Sequence, residues 1–124
     1  MPIKVLLADN DLDIHKLISD LLPILFNKVV VDRALNSESV LAKLSDPNAA
    51  YNLVILDLAI GDAGGSGMLE EIAARFPQVL ARTVLILDSP NLLPPDEKFA
   101  KIAHVVKPFS LDEFSDMAKK ACTR

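Results

Sequence analysis

Five short apolar segments alternate along the chain with longer segments of mixed polarity. The apolar segments span residues 3–8, 28–33, 52–57, 83–88 and 103–107. Several of them are continuously apolar rather than alternating, which is typical of parallel strands that are buried on both faces. The pattern therefore predicts five β-strands with other elements between them.

Four of the other segments carry apolar residues at helical spacing. The predicted stripes are Ile14, Leu17, Ile18, Leu21 and Leu25; Val40, Leu41 and Leu44; Met68, Leu69, Ile72, Ala73 and Phe76; and Leu111, Phe114, Met117, Ala118 and Ala121. Asn36 or Ser37 is available to cap the second helix. Pro23 should bend or disturb the last turn of the first helix, and Pro77 should stop the third.

The remaining segment, residues 89–102, contains three prolines, which leave room only for a short or irregular helix from about Pro95. The last helix opens with Ser110 and Glu113 at the spacing of a capping box. Strand alternates with helix five times over short connections. We therefore expect residues 1–124 to form one α/β domain with right-handed crossovers and a doubly wound parallel sheet.

Composition narrows the range of partners. The chain has 124 residues, 51% of them apolar, and a net charge of −4. The charge argues against a nucleic-acid groove or an anionic membrane as the main partner. The single cysteine, Cys122, excludes an internal disulfide and a zinc cage. No apolar stretch is long enough to cross a bilayer, and the N-terminus lacks the pattern of a signal peptide. We expect a soluble, cytoplasmic protein.

Polar side chains follow most of the predicted strands. The first strand is followed by Asp9 and Asn10, and the third, fourth and fifth strands end at Asp57, Asp88 and Lys107. Taken alone, Asp57 fits a turn or helix-cap aspartate as well as a reactive group. Because the carboxyl ends of parallel strands share one edge, we expect these side chains to lie together.

Such a cluster suggests a particular chemistry. Carboxylate and amide oxygens suit Mg²⁺. Asp57 could act as a carboxylate nucleophile towards phosphorus, forming an acyl phosphate. Lys107 would then hold the phosphoryl oxygens from the other side.

The segments "KVLLADND", "LVILDL" and "VVKPFSLDEF" resemble, in order and spacing, the receiver domains of two-component response regulators. The resemblance implies a CheY-like, flavodoxin-like sheet with strand order 2-1-3-4-5. It also implies that Asp57 is the phosphoacceptor, that Asp9 is the first acid of the metal-binding pair, and that the backbone carbonyl of Ala59 completes the Mg²⁺ shell. Lys107 and Pro108 match the family's lysine–proline pair, whose peptide bond is usually cis.

The same resemblance implies a role in phosphorelay signal transduction. A sensor histidine kinase or a phosphotransfer protein would supply the phosphoryl group. The face built from the fourth helix, fifth strand and fifth helix would then change its affinity for a downstream protein. The domain would not be an enzyme beyond catalysing its own phosphorylation and dephosphorylation, and it would bind neither nucleic acid nor membrane.

Two residues of the predicted pocket depart from the family pattern. Asn10 stands where a second acid usually ligates the metal, so we expect weaker Mg²⁺ binding. Asp88 stands where a threonine or serine usually binds the new phosphoryl group. A carboxylate there repels that group, and it could instead pair with Lys107.

Other departures lie around the pocket. His104 replaces the aromatic switch residue and is either a pH-sensitive group, a phosphodonor or a half-buried histidine without a role. His15 is expected to be solvated. The loop at residues 61–67 has Gly61 in place of the family's proline and looks mobile. A phosphate-cradling loop is not supported, because the lysine and serine or threonine of that motif are missing.

Two functions of different class remain open. One is a working receiver, and the other is a pseudo-receiver that acts as a phosphorylation-independent protein-interaction module. Four features favour the second: Asn10, Asp88, Gly61 and the proline-rich fourth interval. A flavodoxin-like or hydrolase enzyme has little support, because there is no dinucleotide fingerprint and no nucleophile elbow.

Overall fold

The five apolar segments form one parallel sheet. The computed structural model describes residues 2–60 and 66–123. The strands are β1 (Ile3–Ala8), β2 (Val29–Ala34), β3 (Leu53–Asp57), β4 (Thr83–Leu87) and β5 (Ala103–Val106). All neighbouring pairs are parallel, and the order is β2-β1-β3-β4-β5. The predicted doubly wound fold and its strand order are confirmed.

Helices connect the strands in the described parts of the chain. They are α1 (Leu12–Phe26), α2 (Ser37–Ser45), α3 (Ser66–Arg75), α4 (Glu97–Ala100) and α5 (Leu111–Ala121). Short 3₁₀ turns lie at Leu58–Ile60, Pro77–Arg82 and Pro90–Leu92. The four-residue α4 confirms the prediction of a short fourth helix, since the prolines before it cannot donate the backbone hydrogen bonds of a longer one.

The two faces of the sheet carry separate apolar clusters. Alternate strand residues point to opposite faces, so each strand contributes to both clusters. One cluster lies under α1 and α5 and includes Val5, Leu7, Ile18, Leu22, Ile55, Ile86, Val105, Phe114 and Ala118. The other lies under α2, α3 and α4 and includes Leu6, Val40, Leu56, Leu69, Ile72, Leu85, Phe99 and Ile102. Every residue of β3 and β4 is buried, which explains their continuously apolar sequences.

Tyr51 belongs to the cluster under α2, α3 and α4 and lies just before β3, at the amino edge of the sheet. Its ring is buried, and its hydroxyl donates a hydrogen bond to Asp32 Oδ2 at 2.8 Å. Burial raises the pKa of Tyr51 well above its usual value, and the bond to Asp32 adds to the rise. The phenol therefore stays neutral and keeps donating this bond.

Helix ends follow the predicted capping residues. Asn36 caps α2 by accepting a hydrogen bond from the Ser39 backbone N–H at 2.8 Å. Ser110 and Glu113 form the predicted capping box of α5, with both reciprocal bonds present.

Within the described residues, no helix has the length and apolar character needed to cross a membrane.

Several sequence predictions were wrong in detail. Leu17 is 41% exposed and Leu111 49% exposed, whereas both were placed on buried stripes. In α1 the buried side chains are spaced four residues apart, at Ile18, Leu22 and Phe26, which turns Leu17 away from the sheet. Leu111 is the first residue of α5, where no preceding turn covers it.

Element boundaries also differ by one residue in places. β4 ends at Leu87 rather than Asp88, and β5 ends at Val106 rather than Lys107. α1 continues past Pro23 to Phe26. Lys107 still donates its backbone N–H to the Leu87 carbonyl at 2.8 Å, so β5 stays aligned with β4 up to the predicted site.

The capping box gives a direct test of how α5 is held. We expect Ser110→Ala to lower the free energy of unfolding by about 1 kcal/mol, because the Glu113 N–H loses its acceptor. Urea denaturation measures the change. Ser115→Ala, inside the same helix, is the matched control and should cost little or nothing. Equal losses in the two variants would contradict the assigned cap.

Candidate functional site

Four of the predicted site residues lie on one face of the sheet, at its carboxyl edge. Asp9, Asp57, Asp88 and Lys107 each come two residues after a strand side chain of the cluster under α1 and α5. Because side chains alternate along a strand, all four belong to that same face. β1 and β3 pair Leu7 with Ile55 and continue in register, which brings the backbones of Asp9 and Asp57 side by side.

Asp57 is buried at the end of β3. Its side chain is 1% exposed, and both of its oxygens accept hydrogen bonds. Oδ2 lies 2.9 Å from Lys107 Nζ, and Oδ1 accepts from the Ala59 backbone N–H at 3.0 Å. A buried carboxylate needs such partners to remain charged, since desolvation otherwise favours its neutral form.

Lys107 is shared between two carboxylates. Besides its contact with Asp57, its Nζ lies 3.1 Å from Asp88 Oδ1. Burial acts to lower the pKa of Lys107, but the hydrogen bonds that Lys107 donates to Asp57 and Asp88 outweigh it, and the net pKa is raised. The peptide bond from Lys107 to Pro108 is cis, as the resemblance implied. The ion pair between Asp88 and Lys107 suggested by the sequence is therefore present.

Asp9 is held by a separate set of partners. Its side chain is fully buried, with Oδ1 accepting a hydrogen bond from the guanidinium of Arg33 at 3.0 Å. Oδ2 lies 3.5 Å from Nδ1 of His15 on α1. Asp9 makes its polar side-chain contacts with these two residues.

Arg33 was missed at the sequence level, and His15 was wrongly expected to be solvated. β1 and β2 pair Leu7 with Arg33, which puts the arginine on the face of the sheet that carries Asp9. The sequence does contain a signal, since Arg33 interrupts an otherwise apolar alternation with Val29 and Val31. Recognising it requires the strand register, which the sequence alone does not supply.

The oxygen donors at this edge match the preferences of Mg²⁺. Asn10 is exposed, directly after Asp9, and Ala59 is exposed directly beyond Asp57 and Leu58. Asp9 Oδ2 is a buried oxygen with no hydrogen-bond partner, so it has capacity for a water of a hydrated cation. Within the described ranges no three His, Cys, Asp or Glu side chains gather as a metal cluster. An amide and a carbonyl would have to complete the set.

His104 lies away from this cluster. It is half-buried in β5 and is adjacent to Val105, so it points to the opposite face from Lys107. Its Nδ1 lies 2.9 Å from the Ile102 carbonyl. Gly61, Asp62, Gly64 and Gly65 of the predicted mobile loop lie outside the described residues, whereas Gly67 belongs to α3.

No protein-family profile and no curated protein sequence matches the chain. Solved structures do. The chain is 27% identical to response regulator protein TrrA from Thermotoga maritima, solved with Mg²⁺-BeF, over 96% of this chain and 98% of that one, with a TM-score of 0.75. A structure of the histidine kinase ThkA in complex with TrrA also matches, at 27% identity and a TM-score of 0.74. The match covers 98% of this chain and 99% of the matched chain.

NtrX from Brucella abortus, solved with ADP, matches at 25% identity and a TM-score of 0.73, over 98% of this chain and 26% of that one. The chain thus spans about a quarter of the NtrX chain. The structural neighbours are response regulator receiver domains, and this chain has their CheY-like fold.

The shared lysine predicts a measurable pKa change. Asp88→Ala removes one of the two carboxylates that raise the pKa of Lys107, so that pKa should fall. Because the pKa of Lys107 is raised, the ion pair contributes fully to the stability of the fold at neutral pH, and this contribution is lost as the pH rises through that pKa. In the variant the loss should begin at a lower pH. An NMR titration of the lysine side chains measures both.

Lys98 is the internal control for this titration. Its pKa is raised chiefly by its hydrogen bond to Glu70, on the other side of the molecule, and should not change in Asp88→Ala. An unchanged pKa at Lys107 would show that the contact with Asp88 does not persist in solution.

Proposed function

We propose that the chain is a receiver domain that accepts a phosphoryl group on Asp57. The observation that carries this proposal is the contact of 2.9 Å between Asp57 Oδ2 and Lys107 Nζ at the carboxyl edge of the sheet. It combines a nucleophile with a cation positioned to bind the group that the nucleophile receives. The similarity to TrrA and to its complex with a histidine kinase supports the same role.

The chemistry is a phosphoryl transfer. A carboxylate oxygen of Asp57 attacks the phosphorus of a phosphohistidine, the P–N bond breaks, and the departing imidazole takes up a proton. The product is an acyl phosphate on Asp57. Lys107 Nζ exchanges its bond to Asp57 Oδ2 for one to a phosphoryl oxygen, so its charge follows the new negative group.

We further propose that Asp9, Asn10, Asp57 and the Ala59 carbonyl hold a Mg²⁺ ion. When bound, the ion would offset negative charge on the phosphoryl group. Its affinity should be low, because Asn10 contributes no charge and Asp9 is already paired with Arg33. The similarity to TrrA, which was solved in complex with Mg²⁺-BeF, supports Mg²⁺ as the cation.

Asp88 is the feature that favours a second function. Its carboxylate lies 3.1 Å from Lys107 Nζ and would repel an incoming phosphoryl group. A lysine already engaged by two carboxylates is less available to a third anion. The alternative is therefore a pseudo-receiver that binds a protein partner without being phosphorylated.

The proposal includes the domain's wider role. The partners would be a sensor histidine kinase or phosphotransfer protein, and a downstream protein on the face formed by α4, β5 and α5. Asp88 and His104 would be the switch residues, because Asp88 touches Lys107 and His104 lies on β5 within that face. Residues 1–124 would act as one cytoplasmic domain, catalysing only its own phosphorylation and dephosphorylation.

The central test is phosphorylation itself. Incubation with acetyl phosphate and Mg²⁺ should add the mass of one phosphoryl group to the intact protein. The adduct should be absent in Asp57→Asn, which keeps the shape of the side chain but loses its nucleophile. Asp112→Asn, at an exposed position on α5, is the matched control and should be labelled like the wild type. If intact-protein mass spectrometry shows no adduct on the wild type, the proposal is contradicted and the pseudo-receiver is the remaining function.

A second test concerns the residue that departs from the family pattern. Asp88→Thr should raise the phosphorylation rate by roughly tenfold, because it removes a repelling charge and supplies a hydroxyl donor beside Lys107. The rate is followed with acetyl phosphate by the same mass measurement. Asp116→Thr, at an exposed position of α5, makes the same substitution away from the site and should have no effect on the rate. An unchanged rate in Asp88→Thr would show that Asp88 does not hinder the reaction.

A further inference from the structure

The buried cluster around Asp9 contains a cation that phosphoryl transfer does not use. Arg33 donates to Asp9 Oδ1 at 3.0 Å, and its side chain is 27% exposed. It reaches Asp9 from the neighbouring strand, on the same face of the sheet. The arginine therefore occupies the side of the carboxylate pocket that is remote from Lys107.

The pocket is close to electrically balanced without any added ion. Asp9 faces Arg33, while Asp57 and Asp88 share Lys107. Three carboxylates and two permanent cations leave a formal charge of −1. Three of the four carboxylate oxygens of Asp9 and Asp57 also accept a hydrogen bond, from Arg33, Ala59 or Lys107. The fourth, Asp9 Oδ2, lies 3.5 Å from His15 Nδ1 without a hydrogen bond.

We propose that Arg33 is a positioning residue that neutralises Asp9 from within the protein and thereby lowers the affinity of the pocket for divalent cations. This deepens the proposed function, and rests on it for the identity of the cation ligands. Two physical effects act together. The positive charge repels an incoming cation, and the hydrogen bond directs Asp9 Oδ1 towards β2 and away from Asp57.

The decisive experiment measures cation binding directly. Arg33→Met keeps the length and apolar stem of the side chain and removes its charge. We expect it to bind Mn²⁺ about tenfold more tightly than the wild type, since a unit charge is removed within a few ångströms of the ligands. Electron paramagnetic resonance of free Mn²⁺ gives the Kd, and competition gives that of Mg²⁺. Unchanged or weaker binding would overturn the proposal.

Two further variants separate a local effect from the loss of any positive charge. Arg82→Met removes an equally half-buried arginine before β4, at the amino edge of the sheet, and should leave the Kd unchanged. In the Asp9→Asn background, Arg33→Met should tighten Mn²⁺ binding by clearly less than tenfold, because the contact with the Asp9 carboxylate is gone and only the direct repulsion between Arg33 and the cation remains to be relieved. A full tenfold effect in that background would contradict a role through Asp9.

The wild type provides a test that needs no variant to fold. Stabilisation by a ligand grows as RT ln(1 + [L]/Kd), so a weak site implies that about 1 mM Mg²⁺ leaves the thermal midpoint almost unchanged. A rise of several degrees would overturn the proposal. These readouts involve no phosphodonor. If Asp57 forms no adduct but Arg33→Met binds Mn²⁺ more tightly, only the proposed function is contradicted. If the adduct forms but Mn²⁺ binding is unchanged in Arg33→Met, only this inference is contradicted.

Discussion

The burial of the Asp57 carboxylate is the constraint on which the site depends. A charge taken out of water must be paired, and the partner here, Lys107, follows a strand that is not adjacent to β3. β4 lies between β3 and β5, so the ion pair forms only when all three strands are in register. The continuously buried β3 and β4 hold that register, which links the packing of the sheet centre to the chemistry at its edge.

The carboxyl edge divides into two charge groups that meet between β1 and β3. One group is Asp9 with Arg33 and His15, and the other is Asp57 with Lys107 and Asp88. Each group contains one permanent cation, Arg33 or Lys107, which offsets part of its negative charge. With more acids and fewer cations, this edge would carry more uncompensated negative charge. This chain supplies part of the compensating positive charge from its own side chains.

The hydrophobic pattern predicted the five strands, and the positions of prolines and capping residues predicted the short α4 and the caps of α2 and α5, because these depend on local spacing and backbone chemistry. The strand order came from the resemblance to receiver domains. The exposure of Leu17 was missed, because the apolar stripe of α1 contains five residues and the pattern does not show which of them face the sheet. The contact of Arg33 with Asp9 was missed for another reason. It depends on how β1 and β2 align, and a one-residue shift would turn Arg33 to the other face.

The hydrogen bond between Tyr51 and Asp32 affects how this protein can be observed. The chain has one tyrosine and no tryptophan, so its ultraviolet emission comes from a single ring. That ring is buried at the amino edge of the sheet, beside an acceptor that quenches excited phenols. Intrinsic fluorescence will therefore report the opening of the core on unfolding. Asp57 and Lys107 lie at the opposite edge of the sheet, so we expect binding there to change the signal less than unfolding does.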